Sequence, residues 1–307
     1  MMKKTLSASR AKYSVSVPAE DKIFYAVTFA LLSLFLVAVL YPLIFIVSAS
    51  FSSPAAVSTG KVMLLPVDFN LTGYKAVFSN ENILLGYRNT LFYTAVGTSF
   101  NVVVTMLAAY PLSRRDLPGR NGIMFLFAFT MLFGGGLIPF YMLVRNLNMV
   151  NTVWALILPG AMSVYNMIIA RTSIQSNIPG ELLEAARIDG CGDIKYLTAI
   201  VLPLSKATLA VIALFYAVGH WNAYFNAFLF INDRKLYPLQ LFLREILVNS
   251  FMDNTMLEDP EVAAVKQGLA ELVKYALIIV STVPVLMIYP FIQKYFVKGV
   301  MIGSIKG

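Results

Sequence analysis

The sequence has little charge and almost no cysteine. Asp, Glu, Lys and Arg make up only 13% of its 307 residues, whereas soluble globular domains carry about 25%. The single cysteine, Cys191, excludes an internal disulfide and a cysteine-cluster metal site. Apolar residues make up 58% of the chain, and the mean hydropathy is +0.72. These values exclude a soluble domain and predict a protein that crosses a membrane several times.

Several catalytic and energising motifs are also missing. Gly60-Lys61 lacks the earlier glycine of a phosphate-binding G-x-x-x-x-G-K-[ST] loop, so this chain is not predicted to be an ATPase. Metal-ligand spacings and nucleophile–base patterns are absent too, which predicts neither enzyme activity nor a cofactor in this chain. The only histidine, His220, has no carboxylate nearby in sequence with which to form a proton relay.

Six continuous apolar stretches are long enough to cross a bilayer as helices, which takes about 20 residues. They do not alternate as barrel strands do, so the predicted fold is an all-α membrane protein with six transmembrane helices. In the third stretch, Gly134-Gly135-Gly136 and Pro139 predict either a kink or unwound segment, or a close helix crossing. The stretches are residues 24–49, 89–112, 122–144, 152–170, 207–231 and 275–293.

The positions of Lys and Arg predict the orientation in the membrane. The short turn SRRDLPGRN and the connection 171–206 are rich in basic residues, which indicates that they are cytoplasmic. Both termini of this multi-pass protein are then cytoplasmic as well. The loop charges also explain the net charge of +8 without nucleic-acid binding. The predicted domains are a cytoplasmic segment 1–23, a transmembrane domain 24–297 and a cytoplasmic tail 298–307.

The long outer connection 232–274 is predicted to contain a helix. Pro238 suits a helix start, and apolar residues recur after it at helical spacing at Leu239, Phe242 and Ile246. We expect this helix to lie on the outer membrane surface or against a partner.

A charged patch, ELLEAARIDGCGDIKYLTAIVLP at 181–203, separates the fourth and fifth apolar stretches. Pro179 suits the first position of a helix, Gly190 its end, and Asp193 the cap of a second helix that Pro203 ends. In that second helix, one face is predicted to hold Ile194, Leu197 and Val201. The pattern predicts a helix, a glycine elbow and a helix on the cytoplasmic face.

Two interpretations of this patch fit its composition. Amphipathic helices that lie at the membrane surface are common, and this patch would then be an ordinary loop. The small side chains of Ala185 and Ala186 beside Glu184 favour a surface that docks in a pocket of another protein, because a lipid-facing helix would carry bulkier apolar groups and more lysine.

The spacing within the patch resembles the EAA motif of permease subunits of bacterial binding-protein-dependent ABC importers. The matching positions are Glu184, Ala185, Ala186, Gly190, Ile200, Leu202 and Pro203. The resemblance implies a type I ABC importer transmembrane domain, with a cytoplasmic coupling helix between spans 4 and 5. It also implies that the coupling loop 171–206 docks on an ATP-binding subunit, where Glu184 pairs with a basic residue and Gly190 permits a sharp bend.

Other stretches extend the resemblance over nearly the whole chain. The C-terminal QKYFVKGVMIGSIKG and Trp221-Asn222 resemble carbohydrate-importer permeases of the MalG kind, and FGGGLIPFYMLV is closer to the LplC/YtcP branch. Ala223 stands where the MalG pattern has an acidic residue, so details of the sugar path do not carry over from MalG. The resemblance implies half of a translocation pathway for an oligosaccharide in the bacterial cytoplasmic membrane. The implied partners are a sibling permease subunit, two ATP-binding subunits that hold ATP and Mg, an extracytoplasmic sugar-binding protein and membrane lipid.

The fifth apolar stretch holds the candidates for the sugar path. Residues that recur every four positions, and so are expected on one helix face, are Tyr216, His220, Tyr224 and Phe228. Because aromatic rings stack on sugars and amides bind hydroxyls, the candidate path residues are Tyr216, His220, Trp221, Asn222, Tyr224 and Asn226. An aromatic belt with helix-packing contacts is the alternative interpretation.

A stand-alone secondary transporter or channel is the alternative function. No apolar stretch holds an Asp, Glu, Lys or Arg in its interior, where ion-coupled transporters and voltage sensors place such groups. The missing charges therefore disfavour that alternative.

Overall fold

The computed structural model describes residues 18–252 and 260–304. These residues form helices joined by turns and contain no β-strand, so the predicted all-α fold is confirmed. In chain order the helices are α1 (Ala19–Ser50), α2 (Pro54–Ser58), α3 (Thr72–Phe78), α4 (Glu81–Ser113), α5 (Arg120–Leu132), α6 (Leu137–Asn146), α7 (Trp154–Ile157), α8 (Val164–Asn177), α9 (Gly180–Ile188), α10 (Asp193–Tyr196), a π-helical turn (Leu197–Val201), α11 (Leu202–Leu204), α12 (Lys206–Trp221), α13 (Phe225–Phe230), a 3₁₀ turn (Arg234–Leu236), α14 (Leu239–Met252) and α15 (Pro260–Ser304).

Three helical segments are long and apolar enough to cross a membrane: Glu20–Ser50, Glu81–Ser113 and Gly268–Ile288. Two bent pairs also qualify if each is counted as one span. These are α5 with α6, bent by 113°, and the segment Asp193–Leu204 with α12, bent by 85°. The described residues thus contain three to five spans by length and composition, and the count of six stays a prediction.

Three of the predicted apolar stretches are broken. The third is interrupted between α5 and α6, where Gly136 has a φ of +84°; of the two alternatives that the glycine run left open, the structure has the broken helix. The fourth is interrupted between α7 and α8, and the fifth between α12 and α13, so the prediction of continuous helices there was wrong. Hydropathy depends only on composition, so it cannot distinguish an apolar helix from an apolar segment with irregular backbone.

Buried polar side chains of α4 hold the irregular segments in place. The Nδ2 atom of Asn101 donates a hydrogen bond to the carbonyl oxygen of Gly160 at 3.0 Å. The Nδ2 atom of Asn89 donates to the carbonyl oxygens of Lys235 and Tyr237, at 2.7 and 3.0 Å. Backbone polar groups that are shielded from water need such partners. Helix α4 therefore organises the core of the described chain.

Two aromatic side chains, from α4 and α12, form hydrogen bonds with the backbone of α15 near Pro284. Pro284 has no N–H, so the carbonyl of Val280 loses its helical donor. The hydroxyl of Tyr87 in α4 donates to that carbonyl instead. The Nε1 atom of Trp221 in α12 donates to the carbonyl oxygen of Ser281 at 3.0 Å. These bonds fix α15 against α4 and α12.

The apolar face of helix α14 packs inside the chain, and the expectation that the helix lies on the outer membrane surface or against a partner stays a prediction. Four of its side chains are buried: Leu239, Leu241, Phe242 and Leu243. Gly86 lets α4 approach closely, because a Cβ atom there would lie 2.8 Å from Cδ2 of Phe242. The helical spacing predicted the apolar face but carries no information about what covers it.

Helix α1 exposes large apolar side chains along most of its length, among them Phe24, Phe29, Leu34 and Phe35. In water, so large an apolar surface would be unfavourable. In a bilayer the same surface is the one that contacts lipid.

The largest cluster of buried side chains lies where α4, α8, α9, α10 and α12 meet. It includes Met106, Tyr110, Met167, Ala186, Tyr196, Val201 and Ile212. The EAA patch is therefore anchored directly to the principal core.

Candidate functional site

The EAA patch forms a helix, a glycine elbow and a second helical segment. Helix α9 ends at Ile188, and Gly190 follows with a φ of +72°. The backbone N–H of Gly190 donates to Arg187 O at 3.0 Å, and that of Cys191 donates to Ala186 O at 2.8 Å. This is the Schellman pattern, which closes a helix through a left-handed residue. A Cβ atom at position 190 would meet no atom within 4 Å, so only the backbone conformation favours glycine there.

The two faces of α9 have different environments. Ala186 is 6% exposed and packs with Tyr196 and Val201 in the principal cluster. Glu184 and Ala185 are exposed on the other side of the helix. One face of α9 is thus fixed to the core, and the other is free for a partner.

Two large apolar side chains of the same patch are also exposed. Ile188 is 87% exposed and Ile194 is 80% exposed. Exposed apolar groups that lie together mark interaction sites. We call the surface formed by Glu184, Ala185, Ile188 and Ile194 the elbow surface.

The second helical segment differs from its prediction in register. Leu197 and Val201 are buried, but Ile194 is exposed, so the predicted common face was wrong at that residue. The π-helical turn over Leu197–Val201 departs from the spacing of 3.6 residues on which the prediction relied. Gly192 occupies the cap position, and Asp193 is the first helical residue.

The remaining residues of the motif lie close to the same cluster. Ile200 and Leu202 are half-buried and pack against it. Pro203 is exposed within α11, and the segment ends at Leu204. Pro179 occupies the cap position of α9, one residue before the first helical position that the sequence predicted for it.

Charged residues tie both halves of the elbow to the turn after α4. The Oδ2 atom of Asp116 lies 2.5 Å from Nη2 of Arg187 and 2.6 Å from Nη2 of Arg114. Arg114 also forms an ion pair with Asp193 and donates to the hydroxyl of Tyr110 at 3.0 Å. Hydrogen bonds from Arg114 and then from Arg187 hold the pKa of the Asp116 carboxyl well below its usual range. Sequence reasoning missed this network, because no local pattern relates residues so far apart.

Helix α8 completes the base of the elbow. The Nε atom of Arg171 donates to Leu112 O at 2.9 Å, and Nε2 of Gln175 donates to Ser113 O at 3.0 Å. Carbonyls in the last turn of a helix have no partner within the helix, so these side chains satisfy the end of α4. Between the turn, α8 and α9 lies a cavity of about 730 Å³, whose lining includes Arg171 and Glu184.

Two candidates for the sugar path, Tyr216 and His220, face α4 inside the chain. The hydroxyl of Tyr216 lies 2.7 Å from Oγ1 of Thr105 and accepts a hydrogen bond from the backbone N–H of Ser163 at 2.9 Å. The ring of His220 lies against Gly97, where a Cβ atom would sit 2.4 Å from Nε2. Among the described residues, Nε2 of His220 is buried without a hydrogen-bond partner.

Trp221 and Asn222 end helix α12. Trp221 is buried, and its ring meets that of Tyr87 edge-on, with 6.1 Å between the ring centroids. Asn222 is exposed, and its Nδ2 atom donates to Val218 O in the preceding turn at 3.0 Å. Both residues therefore make local or packing contacts in this chain.

The helix break separates the remaining candidates from the first two. Because α12 ends at Trp221, Tyr224 and Phe228 do not continue the face of the preceding aromatic residues, and that prediction was wrong. Tyr224 and Phe228 are exposed, and Asn226 is half-buried in α13. The roles of these residues in a sugar path stay predictions.

Comparison with known proteins gives relatives that match almost end to end, although no protein-family model matches the chain. The polygalacturonan/rhamnogalacturonan transport system permease protein YtcP of Bacillus subtilis (strain 168) is 42% identical over 289 residues, which cover 94% of this chain and 100% of YtcP. The protein LplC of the same organism is 42% identical over 267 residues, which cover 87% of this chain and 89% of LplC.

Solved structures agree with these relatives. A chain of a bacterial ABC transporter involved in the import of the acidic polysaccharide alginate matches with a TM-score of 0.82 and 35% sequence identity, over 91% of this chain and 99% of that one. The chain belongs to the permease subunits of sugar ABC importers, in the LplC/YtcP branch. The permease is therefore a membrane transport subunit and not an enzyme.

A second solved structure is more distant from the permease. It is a bacterial alginate ABC transporter in complex with an alginate pentasaccharide-bound periplasmic protein. It matches with a TM-score of 0.53 and 14% identity, over 90% of this chain and 96% of that one. At that identity the likeness shows the fold alone.

Sequence reasoning missed a second pocket of the permease, at the opposite end of α12 from the elbow. Its volume is about 360 Å³, and its polar lining consists of Tyr224, Gln240, Arg244, Lys274 and Ser281. The signal in the sequence was a pair of basic residues, Arg244 and Lys274, both within the predicted outer connection 232–274. These two residues come together only because α14 contacts α15, and no local sequence pattern predicts that contact.

Proposed function

We propose that the permease forms half of the translocation pathway for an oligosaccharide, and that a separate ATPase drives it by docking on the elbow surface. The observation that carries this proposal is the division of α9 into two faces. Glu184 and Ala185 face outward, while Ala186 is packed in the core and Arg187 is paired with Asp116. A partner that moves the outer face therefore moves the end of α4 as well.

Contacts along α4 would carry this movement to the transport path. Thr105 contacts Tyr216 of α12, and Gly97 lies against His220, about two turns away along α4 and about one turn away along α12. Near the other end of α4, Oγ1 of Thr90 accepts a hydrogen bond from the backbone N–H of the first α14 residue. A rocking motion of α4 would thus be passed to the helices that line the second pocket.

The proposed topology has six spans, both termini in the cytoplasm and the coupling loop 171–206 on the same side. In this topology the third, fourth and fifth spans are broken helices, and the break in the fourth is bonded to Asn101 of α4, as an apolar membrane interior requires of irregular backbone. The elbow surface then faces the compartment that contains ATP. The tail 298–307 would give a second ATPase contact, and its last three residues lie outside the described part of the chain.

The proposed assembly contains a sibling permease, two ATP-binding subunits that hold ATP and Mg, and an extracytoplasmic sugar-binding protein. Support comes from the matching chain of a bacterial ABC transporter that imports alginate, which is 35% identical to this chain. The names of similar permeases support an oligosaccharide as cargo, but family membership does not determine the charge of the sugar.

Purification of the tagged permease in mild detergent tests this proposal. We expect an ATP-binding subunit and a second permease to co-purify, and Glu184→Lys to reduce the recovered ATPase or to uncouple ATP hydrolysis from uptake. Glu81→Lys, a charge reversal at the other end of α4, is the matched control. A permease that purifies alone and transports without ATP would instead be a stand-alone secondary transporter.

A further inference from the structure

The second pocket has the size and composition of a small-molecule site. Its volume of about 360 Å³ lies within the range of about 300–1,000 Å³ that is typical of ligand pockets. Tyr224 contributes from the break after α12, Gln240 and Arg244 from α14, and Lys274 and Ser281 from α15. Three separate parts of the chain therefore converge on one concave surface.

The charged side chains described in this pocket are both positive. Arg244 and Lys274 both line it, and among the side chains that the structure describes no Asp or Glu does. Within residues 18–252 and 260–304, the ion pairs involve neither of these two cations. The acidic residue next to Arg244 in sequence, Glu245, is held by Arg234 at 2.7 Å. The pocket is thus complementary to an anion that the described chain does not itself supply.

Each of these two cations contacts an aromatic ring. The guanidinium carbon of Arg244 lies 4.3 Å from the centre of the Phe228 ring, and Nζ of Lys274 lies 5.1 Å from that of Tyr275. Cation–π contact restrains the guanidinium group and leaves its planar set of N–H donors able to bind a carboxylate with two hydrogen bonds.

The remaining lining suits a sugar ring. Tyr224 is 44% exposed and offers an aromatic face, on which the apolar face of a pyranose can stack. The amide of Gln240 can both donate to and accept from hydroxyl groups. The other lining residues are aliphatic and can contact the apolar face of the ring: Leu243, Leu247, Leu277 and Ile278.

We propose that this pocket binds a carboxylate-bearing unit of an acidic oligosaccharide. Arg244 and Lys274 bind the carboxylate, and Tyr224 stacks on the ring. This inference rests on the proposed function, and it narrows the cargo from sugars in general to acidic sugars. It also gives the outer connection 232–274 a role, because α14 supplies one of the two cations.

Direct binding to the assembled complex tests the inference. The probe is trigalacturonate, compared with its methyl ester, which has the same rings but no carboxylate charge. Binding is measured by saturation-transfer NMR on the detergent-solubilised complex of both permeases and the ATPase, without the sugar-binding protein. We expect the ester to bind at least about tenfold more weakly, because a hydrogen bond to a charged group is worth roughly a tenfold to a hundredfold change in affinity.

Single substitutions test whether the probe binds in this pocket. Arg244→Gln and Lys274→Gln should each weaken trigalacturonate binding at least about tenfold, and Arg244→Lys should retain part of it. Lys235→Gln removes an equal charge from the exposed 3₁₀ turn before α14 and should have no effect. With saturating loaded binding protein, uptake should fall in the two pocket variants but not in Lys235→Gln, and all three complexes should keep the subunit stoichiometry of the parent.

Several results would overturn the inference. Equal binding of the acid and its ester, or equal effects of Lys235→Gln and Arg244→Gln, would exclude a carboxylate site in this pocket. Anionic phospholipid that co-purifies with the parent complex but not with Arg244→Gln, together with no trigalacturonate binding, would identify a lipid site instead. Loss of the ATPase from the parent preparation would contradict the proposed function, which is a separate result.

Discussion

Arg187 of α9 and Asp116 of the turn after α4 form an ion pair, with 2.5 Å between Nη2 and Oδ2. Asp116 also binds Arg114, which in turn holds Asp193 on the far side of the elbow. One carboxylate therefore joins the end of α4 to both halves of the EAA patch. Arg114 is 12% exposed, but its partners Asp116 and Asp193 are 44% and 67% exposed. Ion pairs with exposed carboxylates contribute about 0–1 kcal/mol each, so we assign the network to the transmission of movement rather than to folding.

The first prediction removes that carboxylate. Asp116→Asn should leave the melting temperature almost unchanged but lower the amount of sugar imported per ATP hydrolysed, because α9 would move without α4. Uptake and hydrolysis are measured together in vesicles that contain the assembled complex. The control is Asp189→Asn, an exposed acid at the end of α9 that forms no ion pair in the described structure. Equal coupling in the two variants would contradict the proposed role of Asp116.

The second prediction concerns the elbow. Gly190→Val should reduce the ATPase that co-purifies, because a left-handed conformation costs an L-residue about 1–2 kcal/mol and suits β-branched residues least. Gly190→Asn should be tolerated better, since asparagine adopts this conformation more readily. Steric conflict cannot explain a difference, because no atom lies within 4 Å of the added Cβ. Equal recovery of ATPase with both variants would mean that the bend is not needed for docking.

The third prediction tests the contact between α4 and α12. Gly97→Ala would put a methyl group 2.4 Å from Nε2 of His220, so we expect a loss of stability of about 1–3 kcal/mol from overpacking. Adding His220→Ala should restore most of that loss. Gly219→Ala, at a position with open space around its Cβ, is the control and should not destabilise the protein. Strictly additive effects in the double variant would show that the two residues do not touch.

The fourth prediction separates packing from sugar binding at Tyr216. Tyr216→Phe removes the hydroxyl that binds Thr105 and the backbone N–H of Ser163. Leaving such buried groups unpaired costs about 1–3 kcal/mol, which thermal unfolding would detect. Tyr165→Phe removes an exposed hydroxyl and should have little effect. A Tyr216→Phe protein of normal stability with impaired uptake would favour the sugar path instead.

Much of this architecture was predictable from local sequence. Composition indicated membrane helices, the run Gly134–Gly136 indicated a break, and Gly190 indicated the end of α9. Each of these features depends on the residues at the position itself, through hydropathy or backbone conformation. The spacing of the EAA motif located the elbow, because that spacing is also a property of local sequence.

The features that were missed depend on distant partners. The breaks near Gly160 and Asn222 lie in apolar sequence, and the first is held by Asn101, far earlier in the chain. Asp193 is of a residue type that commonly caps helices, but its carboxylate pairs with Arg114. The second pocket likewise exists only because α14 packs beside α15. No window of local sequence contains these pairings.

Cross-linking from the elbow surface tests the central claim most directly. The chain has one cysteine, Cys191, so Ala185→Cys is made together with Cys191→Ser, and the assembled complex is treated with a short bifunctional thiol reagent. We predict a cross-link between position 185 and a cysteine placed in the docking cleft of the ATP-binding subunit, and none from Lys235→Cys in the outer connection. A complex that retains its full complement of ATPase but gives no cross-link from position 185, or a residue 185 that an impermeant thiol reagent labels from outside intact cells, would contradict the account.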